Sequence, residues 1–242
     1  ALAKNLKPAK IIFLQPSGGI SVNGRRVPVV NIDNEQAMID IDTLTPGQSR
    51  FMSTVRDMAS TFTHKSVYVI ASPLNLLAEL FTTKGSGTLI RKGAKVTMAK
   101  SLDGFDKAAL TTSIDQAFGK RLKPDFLKRP VHCVFMDSDY RGGAILTQLA
   151  GLPYLSKFWV TGAAKGEGLA RDIWDKMCAA TPAFFWRSRR DNPFSDWYMK
   201  QCDGMQTSGE WRVFWIGLEA PEVPGAIIAA SSADEDFEQL IG

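Results

Sequence analysis

Between Tyr154 and Arg189 the chain reads strand, small-residue loop, helix, strand, and no other stretch limits the fold as much. Tyr154–Val160 has the composition of a strand. Thr161-Gly162-Ala163-Ala164-Lys165-Gly166-Glu167-Gly168-Leu169-Ala170 then opens a helix that carries Ile173, Trp174 and Met177. Free backbone N–H groups and the positive end of the helix dipole meet at such a junction, and glycine lets a phosphate come close to the backbone. The loop is not a Walker A sequence, since no Gly-Lys-Ser/Thr follows. It is not the dinucleotide fingerprint either, since Ala170 stands two places after Gly168 and the third glycine is missing. The run Phe185-Trp186-Arg187-Ser188-Arg189 is apolar up to Trp186, as in a buried strand, and then presents two arginines at i and i+2. In an extended chain both guanidiniums point to one side. There they suit a ligand with two carboxylates, or one carboxylate held bidentately. Tyr198 follows closely enough to serve the same pocket.

The 242 residues suffice for one large domain or two smaller ones. Apolar residues at 45% and charged residues at 22% place the chain among globular proteins. No apolar run approaches the roughly 18 residues that span a bilayer, and no secretory signal pattern opens the sequence. Cys133, Cys178 and Cys202 are dispersed and odd in number, which fits a reduced, intracellular protein. With only His64 and His132 available, a histidine metal site is not expected. The net charge of +4 hides an asymmetry: residues 219–242 hold six acids and neither Lys nor Arg, so the remainder carries +10. The basic residues are spread along the chain without interleaved aromatics. A small anionic ligand explains them better than nucleic acid does, and no membrane partner is expected.

Ala1–Lys7 reads as the end of a helix, Lys10–Leu14 and Val67–Ile70 as buried strands, and Ile20–Val30 as a hairpin about Asn23-Gly24. Gln48–Phe62 has helical periodicity, and Pro73–Phe81 reads as an amphipathic helix capped by Ser72. This is too little sheet for a complete doubly wound domain, so residues 1–92 read as a piece of a larger α/β domain ending at the seam Arg91-Lys92-Gly93. Beyond it, Asp106–Phe118 and Gly168–Ala179 read as helices and Lys123–Leu127 as a short one. Val131–Met136 and Gly143–Leu149 read as an antiparallel meander, followed by strands Tyr154–Val160, Ala183–Arg187 and Trp211–Ile216, with a turn at Asp203-Gly204. Residues 93–218 thus form an α+β domain. Residues 219–242 are expected to be an acidic, flexible tail.

Tyr154-Leu155-Ser156-Lys157-Phe158, the Gly166–Ala170 loop, Phe185–Arg189 through Asn192-Pro193 to Trp197-Tyr198, and Asp203-Gly204 through Trp211 to Phe214-Trp215-Ile216-Gly217-Leu218 follow one another in an order that resembles a known family. It is the acetyltransferase domain of N-acetylglutamate synthases, in the vertebrate-like form that includes bacterial bifunctional synthase/kinases. The likeness covers roughly residues 95–218. Upstream, Lys10–Leu14, Gly18-Gly19 and the stretch Glu79–Leu89 look like the end of the amino-acid-kinase domain that precedes it in those proteins.

The resemblance implies a GNAT acetyltransferase fold, α+β with a mixed, splayed central sheet, preceded by a partial α/β amino-acid-kinase lobe. It implies acetyl transfer from acetyl-coenzyme A (acetyl-CoA) to the α-amine of L-glutamate, giving N-acetyl-L-glutamate, without a metal. Lys165, Gly166, Glu167, Gly168, Leu169 and Ala170 would cradle the pyrophosphate, Lys165 replacing the pattern's usual first residue. Tyr154, Lys157, Arg187, Arg189 and Asn192 would hold glutamate. Ser156 stands where the family usually has Asp, which implies a weaker hold on Lys157. Tyr198 would protonate the departing thiolate as general acid, a step open to a phenol of pKa about 10, while a backbone N–H of Tyr154–Val160 steadies the oxyanion. Glu79 and Gly85 match residues that help bind the effector arginine in the full-length protein. A homo-oligomer is expected, cytoplasmic in a bacterium and in the mitochondrial matrix in a eukaryote. The alternative is a non-catalytic regulatory domain of an arginine-sensitive acetylglutamate kinase. Retention of Arg187, Arg189 and Tyr198 favours the enzyme.

Overall fold

Strand pairing begins with two short apolar runs, β1 (Lys10–Leu14) and β5 (Val67–Ala71), which lie parallel from Lys10↔Val67 to Leu14↔Ala71 in the computed structural model. The structure describes residues 6, 8, 10–22, 24–32, 44–61, 66–81, 87–165 and 167–238. The chain divides into two compact units, Ala1–Gly93 and Ala94–Gly242.

In the first unit, β2 (Ser21–Val22) and β3 (Arg25–Arg26) form the short hairpin expected there, with Gly24 in the left-handed region at φ 73°. Asn23, its other turn residue, lies outside the described residues, as do His64, Gly85 and most of Ala1–Lys7. β4 (Val29–Asn31), α1 (Pro46–Thr61), α2 (Leu76–Phe81) and β6 (Thr88–Arg91) follow, and the sheet order is β1-β5-β6-β4. α1 buries Met52, Val55 and Ala59 against Tyr68, Ile70 and Ile90. The expected helix from Pro73 starts as a 3-10 turn, Pro73–Asn75, capped by Ser72 Oγ accepting from Leu74 N at 3.3 Å. Glu79 falls on α2.

The second unit is one mixed sheet in the order β12-β13-β11-β10-β9-β8-β7. Its elements are β7 (Val96–Ala99), α3 (Lys107–Phe118), β8 (Cys133–Asp137), β9 (Gly142–Leu149), β10 (Leu152–Val160), α4 (Leu169–Ala180), β11 (Phe184–Arg189), α5 (Ser195–Tyr198), β12 (Gly204–Ser208), β13 (Trp211–Ile216) and α6 (Val223–Ser232). β8 and β9 make the expected meander, β10 extends it antiparallel to β9, and β10 and β11 are the sheet's parallel neighbours. α3 starts where Asp106 Oδ1 accepts from Ala108 N and Ala109 N at 2.9 and 3.1 Å, satisfying two otherwise unpaired donors.

Helices cover both faces of this sheet. α4 presents Leu169, Ile173, Trp174 and Met177, spaced to form one stripe, to a face built from Phe135, Leu146, Leu155, Phe184, Trp186 and Phe214. The opposite face takes α3 at one end, where Leu110 and Ile114 meet Val134, Ile145 and Trp159. At the other end it takes α6, where Ala226, Ile227 and Ala230 meet Tyr154, Phe185 and Val213. α6 departs from the flexible tail expected over residues 219–242: the stripe Ala226-Ile227-Ala230 finds an apolar surface, and burial overrides the acidic composition around it. Two other elements also differ. The short helix expected at Lys123–Leu127 is a 3-10 turn at Phe126–Lys128, and Asp203-Gly204 leads into a strand, β12. Among the described residues no helix is long and apolar enough to cross a membrane.

Candidate active site

β10 and β11 pair only at Tyr154↔Phe185; beyond that pair their register does not continue. On its other side β10 follows β9 from Leu152↔Leu149 to Val160↔Gly142, with one register shift between Leu155 and Lys157. Ser156 is the extra residue of a β-bulge. Strict alternation would put Tyr154 and Lys157 on opposite faces; one inserted residue brings them to the same face. The packing agrees. Tyr154 lies on the α6 face, Leu155 and Phe158 on the α4 face, and Trp159 back on the α3 face. Arg187 and Arg189 alternate with Trp186, which faces α4, and so share the face of Tyr154 and Lys157. The structure therefore gathers Tyr154, Lys157, Arg187 and Arg189 beside the point where the two strands part.

Each of these groups has partners in the chain. Both guanidiniums lie over the ring of Trp211, at 3.9 Å for Arg187 and 4.2 Å for Arg189. Trp211 stands directly opposite Arg189 in the β11–β13 ladder, and such stacking holds a guanidinium in place. Arg187 Nη1 donates to the carbonyls of Ala230 and Ala233, each at 2.7 Å, and Nη2 to that of Asp234 at 2.9 Å. It thereby satisfies carbonyls at the end of α6. Arg189 pairs with Glu210 and Glu235. Tyr154 is buried against Phe185, and burial pushes its phenol up to about 12, with Arg187 opposing. Asn192 forms the turn after β11, its Oδ1 accepting from Phe194 N at 2.9 Å.

Lys157 is 4% exposed, and its ammonium donates to Ser156 O at 3.1 Å, Ser156 Oγ at 3.3 Å and the Asp236 carboxylate. The carboxylate expected to be missing at Ser156 is thus supplied from 80 residues further on. Asp236 also accepts from Ser156 Oγ at 3.1 Å and from Arg129 Nη1 at 2.7 Å. Burial lowers the Lys157 ammonium, which Asp236 offsets in part. For Asp236, burial raises the carboxyl, but the Lys157 ammonium and its hydrogen bonds bring it below the ordinary 3.8. On acidification the unfolded chain therefore takes up that proton first. The pair's contribution is full above the unfolded value and is lost as pH falls through the folded one. Thermal melts of wild type and Asp236→Asn should differ at about pH 7 and converge only as the pH falls through the lowered folded value of the carboxyl, below 3.8; a gap independent of pH would contradict the ion pair.

Tyr198 is on the other side of the sheet. Its ring is enclosed by Trp174, Trp186, Trp197 and Phe214, with centroids 5.5 to 6.1 Å away. It does not share the arginine pocket, as its sequence position suggested, but lies across the sheet from it. Trp197 stacks on Phe158 at 5.8 Å and 11°, linking α5 to β10 on this side of the parted strands. Below it, Gly168 opens α4 at φ 78°, a conformation that costs a side chain dearly. Leu169 is buried, Lys165 and Glu167 are exposed, and Gly166 lies outside the described residues. Glu167 accepts from Arg141 Nη1 at 2.8 Å, and Arg141 Nε is held by the buried Asp137 at 3.0 Å. Burial raises all three thiols, Cys178 to about 11, which disfavours their thiolate forms.

The sequence does not mark Arg129, Asp236 or Lys120 as neighbours of this face, nor Trp211, named there only as part of a strand, as the platform for both guanidiniums. Lys120 lines a cavity of about 500 Å³ together with Arg189, Arg190, Asp191, Gly209 and Glu210. Lys120, Arg129 and Asp236 come from segments far from the Arg-Ser-Arg strand, and nothing local to them marks the association. Trp211 was legible once β11 and β13 are paired.

Residues 97–233 match the family described as N-acetyltransferase of N-acetylglutamate synthase. The chain belongs to this family. Relatives of this N-acetyltransferase chain include the mitochondrial N-acetylglutamate synthase of Mus musculus, 35% identical over 230 residues that make up 90% of this chain and 43% of that protein. The acetylglutamate kinase of Xanthomonas campestris pv. campestris is 36% identical over 226 residues, 90% of this chain and 53% of that protein. The chain spans about half the length of the curated relatives it matches. A solved structure, N-acetylglutamate synthase from Neisseria gonorrhoeae, aligns with 90% of this chain and 55% of its own at 17% identity and a TM-score of 0.42.

Proposed function

We propose that this N-acetyltransferase domain moves the acetyl group of acetyl-CoA to the α-amine of L-glutamate. The observation that supports this best is the common face of Tyr154, Lys157, Arg187 and Arg189 beside the gap between β10 and β11. A diacid carries two negative charges to that face, and planar guanidiniums held by Trp211 suit carboxylates. Lys120 lines a cavity with Arg189, and Asn192 turns the chain just after β11. The residues on the α4 side fit coenzyme A: the amides at the start of α4 favour a pyrophosphate, and the β10 edge turned towards the gap has no strand beside it beyond Tyr154. Lys165, Gly166, Glu167, Gly168, Leu169 and Ala170 would form that cradle.

In this reading the acceptor lies on one face, the thioester reaches it through the gap, and Tyr198 waits on the donor's side. The neutral amine attacks the thioester carbonyl, a β10 backbone N–H steadies the oxyanion, and Tyr198 gives its proton to the leaving sulfur. Residues 1–92 we read as part of an amino-acid-kinase lobe, the chain from residue 93 through α6 as the acetyltransferase domain, which extends the expected 93–218, and Glu79 and Gly85 as part of an arginine site. The assembly would be a homo-oligomer, in the mitochondrial matrix of a eukaryote or the cytoplasm of a bacterium.

A continuous assay of coenzyme A release tests the central claim. Release should require L-glutamate and fall steeply with glutamine, which lacks the second carboxylate. No turnover at saturating glutamate and acetyl-CoA would leave a regulatory binding domain instead.

A further inference from the structure

Three consecutive residues meet the three cations assigned to glutamate. The carbonyl of Asp234 accepts from Arg187, the carboxylate of Glu235 pairs with Arg189, and that of Asp236 pairs with Lys157. We propose that residues 234–236 are an acidic strap that occupies the cationic face in place of the diacid, and that glutamate binds by displacing it. The proposal rests on glutamate being the acceptor.

The argument is one of donors and charge. The three N–H groups of Lys157 are matched by Ser156 O, Ser156 Oγ and Asp236. A substrate carboxylate can therefore reach this ammonium only where Asp236 now sits. Buried cations do not go unpaired, so whatever removes the strap must bring negative charge to replace it. Glutamate brings two carboxylates for the two that leave, Glu235 and Asp236. An amino acid with a single carboxylate replaces only one of the two; Arg189 keeps Glu210, but the buried Lys157 and the exposed Arg189 cannot both be matched, so such a ligand competes poorly with the strap. The strap thus gives the second carboxylate a role in entry, in addition to any contact it makes once bound.

The strap is anchored on both sides, so displacement is local. Upstream it leaves α6, whose Ala226, Ile227 and Ala230 are packed on the sheet. Downstream, Glu238 N donates to Arg121 O at 2.9 Å and the Phe237 ring lies 4.9 Å from that of Phe118, while the bond from Lys123 N to Asp236 O is given up with the strap. Between these anchors Ala233 is extended, and the side chain of Glu235 is 44% exposed. A short stretch held mainly by exchangeable ion pairs belongs to the low-stability end of a domain. Tethering keeps it competing at a high effective concentration.

Amide hydrogen exchange on the 242-residue chain, followed with calorimetry on the same samples, tests this. With coenzyme A present, L-glutamate should raise exchange at Lys123, whose amide donates to Asp236 O at 2.9 Å while the strap is in place, whereas coenzyme A alone or glutamine should not. Glu235→Gln removes one exposed ion pair. It should lower the glutamate KM about two- to fivefold at unchanged kcat, the range that an exposed pair supports. Glutamate that binds without raising exchange, or a KM that is unchanged or higher in Glu235→Gln, overturns the strap and leaves glutamate as the acceptor. Glutamate that binds to neither wild type nor Glu235→Gln overturns both.

Discussion

Tyr198→Phe should lower kcat by about two orders of magnitude, the low end of what a positioned general acid contributes, while the KM values for glutamate and acetyl-CoA stay near those of wild type. The substitution is a clean one. Trp174, Trp186, Trp197 and Phe214 enclose the ring, and phenylalanine fills the same space. Only the hydroxyl is lost. Burial holds that phenol well above its ordinary value of 10.0, so the hydroxyl carries its proton at neutral pH. An acid of that strength protonates a thiolate only as the charge develops on sulfur, so its loss acts on the transition state and not on binding. Steady-state kinetics on the folded variant decide the point. An unchanged kcat would make Tyr198 a packing residue of the aromatic cluster and nothing more.

Arg187→Ala should fail in two ways at once. The guanidinium donates to the carbonyls of Ala230, Ala233 and Asp234, and these groups lose their donor when it goes. Leaving a buried acceptor unpaired costs about 1–3 kcal/mol, and each kcal/mol lowers the melting temperature of a domain this size by about 2–4 °C. The glutamate KM should also rise by about tenfold or more, as one charge-assisted hydrogen bond of about 1.5–3 kcal/mol is lost. Arg189→Ala separates the two effects. Its ion pairs with Glu210 and Glu235 are exposed, and such pairs stabilise little. It should therefore raise the KM with a melting temperature close to wild type. The acetyl-CoA KM should move in neither variant. If Arg187→Ala melts lower but keeps its glutamate KM, this arginine serves α6 alone.

What the sequence disclosed and what it withheld divide along the range of the interactions. Asp106 announces α3 because its carboxylate caps the backbone two and three residues on. The stripe Leu169, Ile173, Trp174, Met177 announces α4, and the apolar run ending at Trp186 announces β11. These are local signals, and the pairing of two arginines at i and i+2 is one of them. The face of Lys157 was not legible, because a bulge at Ser156 alters the count only once β9 and β10 are in register. α6 carries Pro224 and Gly225 in its first turn and acids on either side. It exists because Tyr154, Phe185 and Val213 offer it a surface, which no propensity reports. The pairing of Lys157 with Asp236 spans 79 positions and joins two segments with no periodic relation.

At position 156 it is the residue's place outside the ladder, not its side chain, that decides which way the strand faces. The serine hydroxyl makes two ordinary hydrogen bonds, which several polar side chains could replace. Take Ser156 out and Leu155 runs straight into Lys157; their partners on β9, Leu146 and Ile145, are already neighbours, so the ammonium and Trp159 keep their faces. Keep Ser156 but draw it into the ladder, and every side chain from Lys157 to Val160 passes through the sheet. Charge recognition and the hydrophobic interior are thus exposed together to a slip of register, and this strand can be shortened here more safely than it can be straightened.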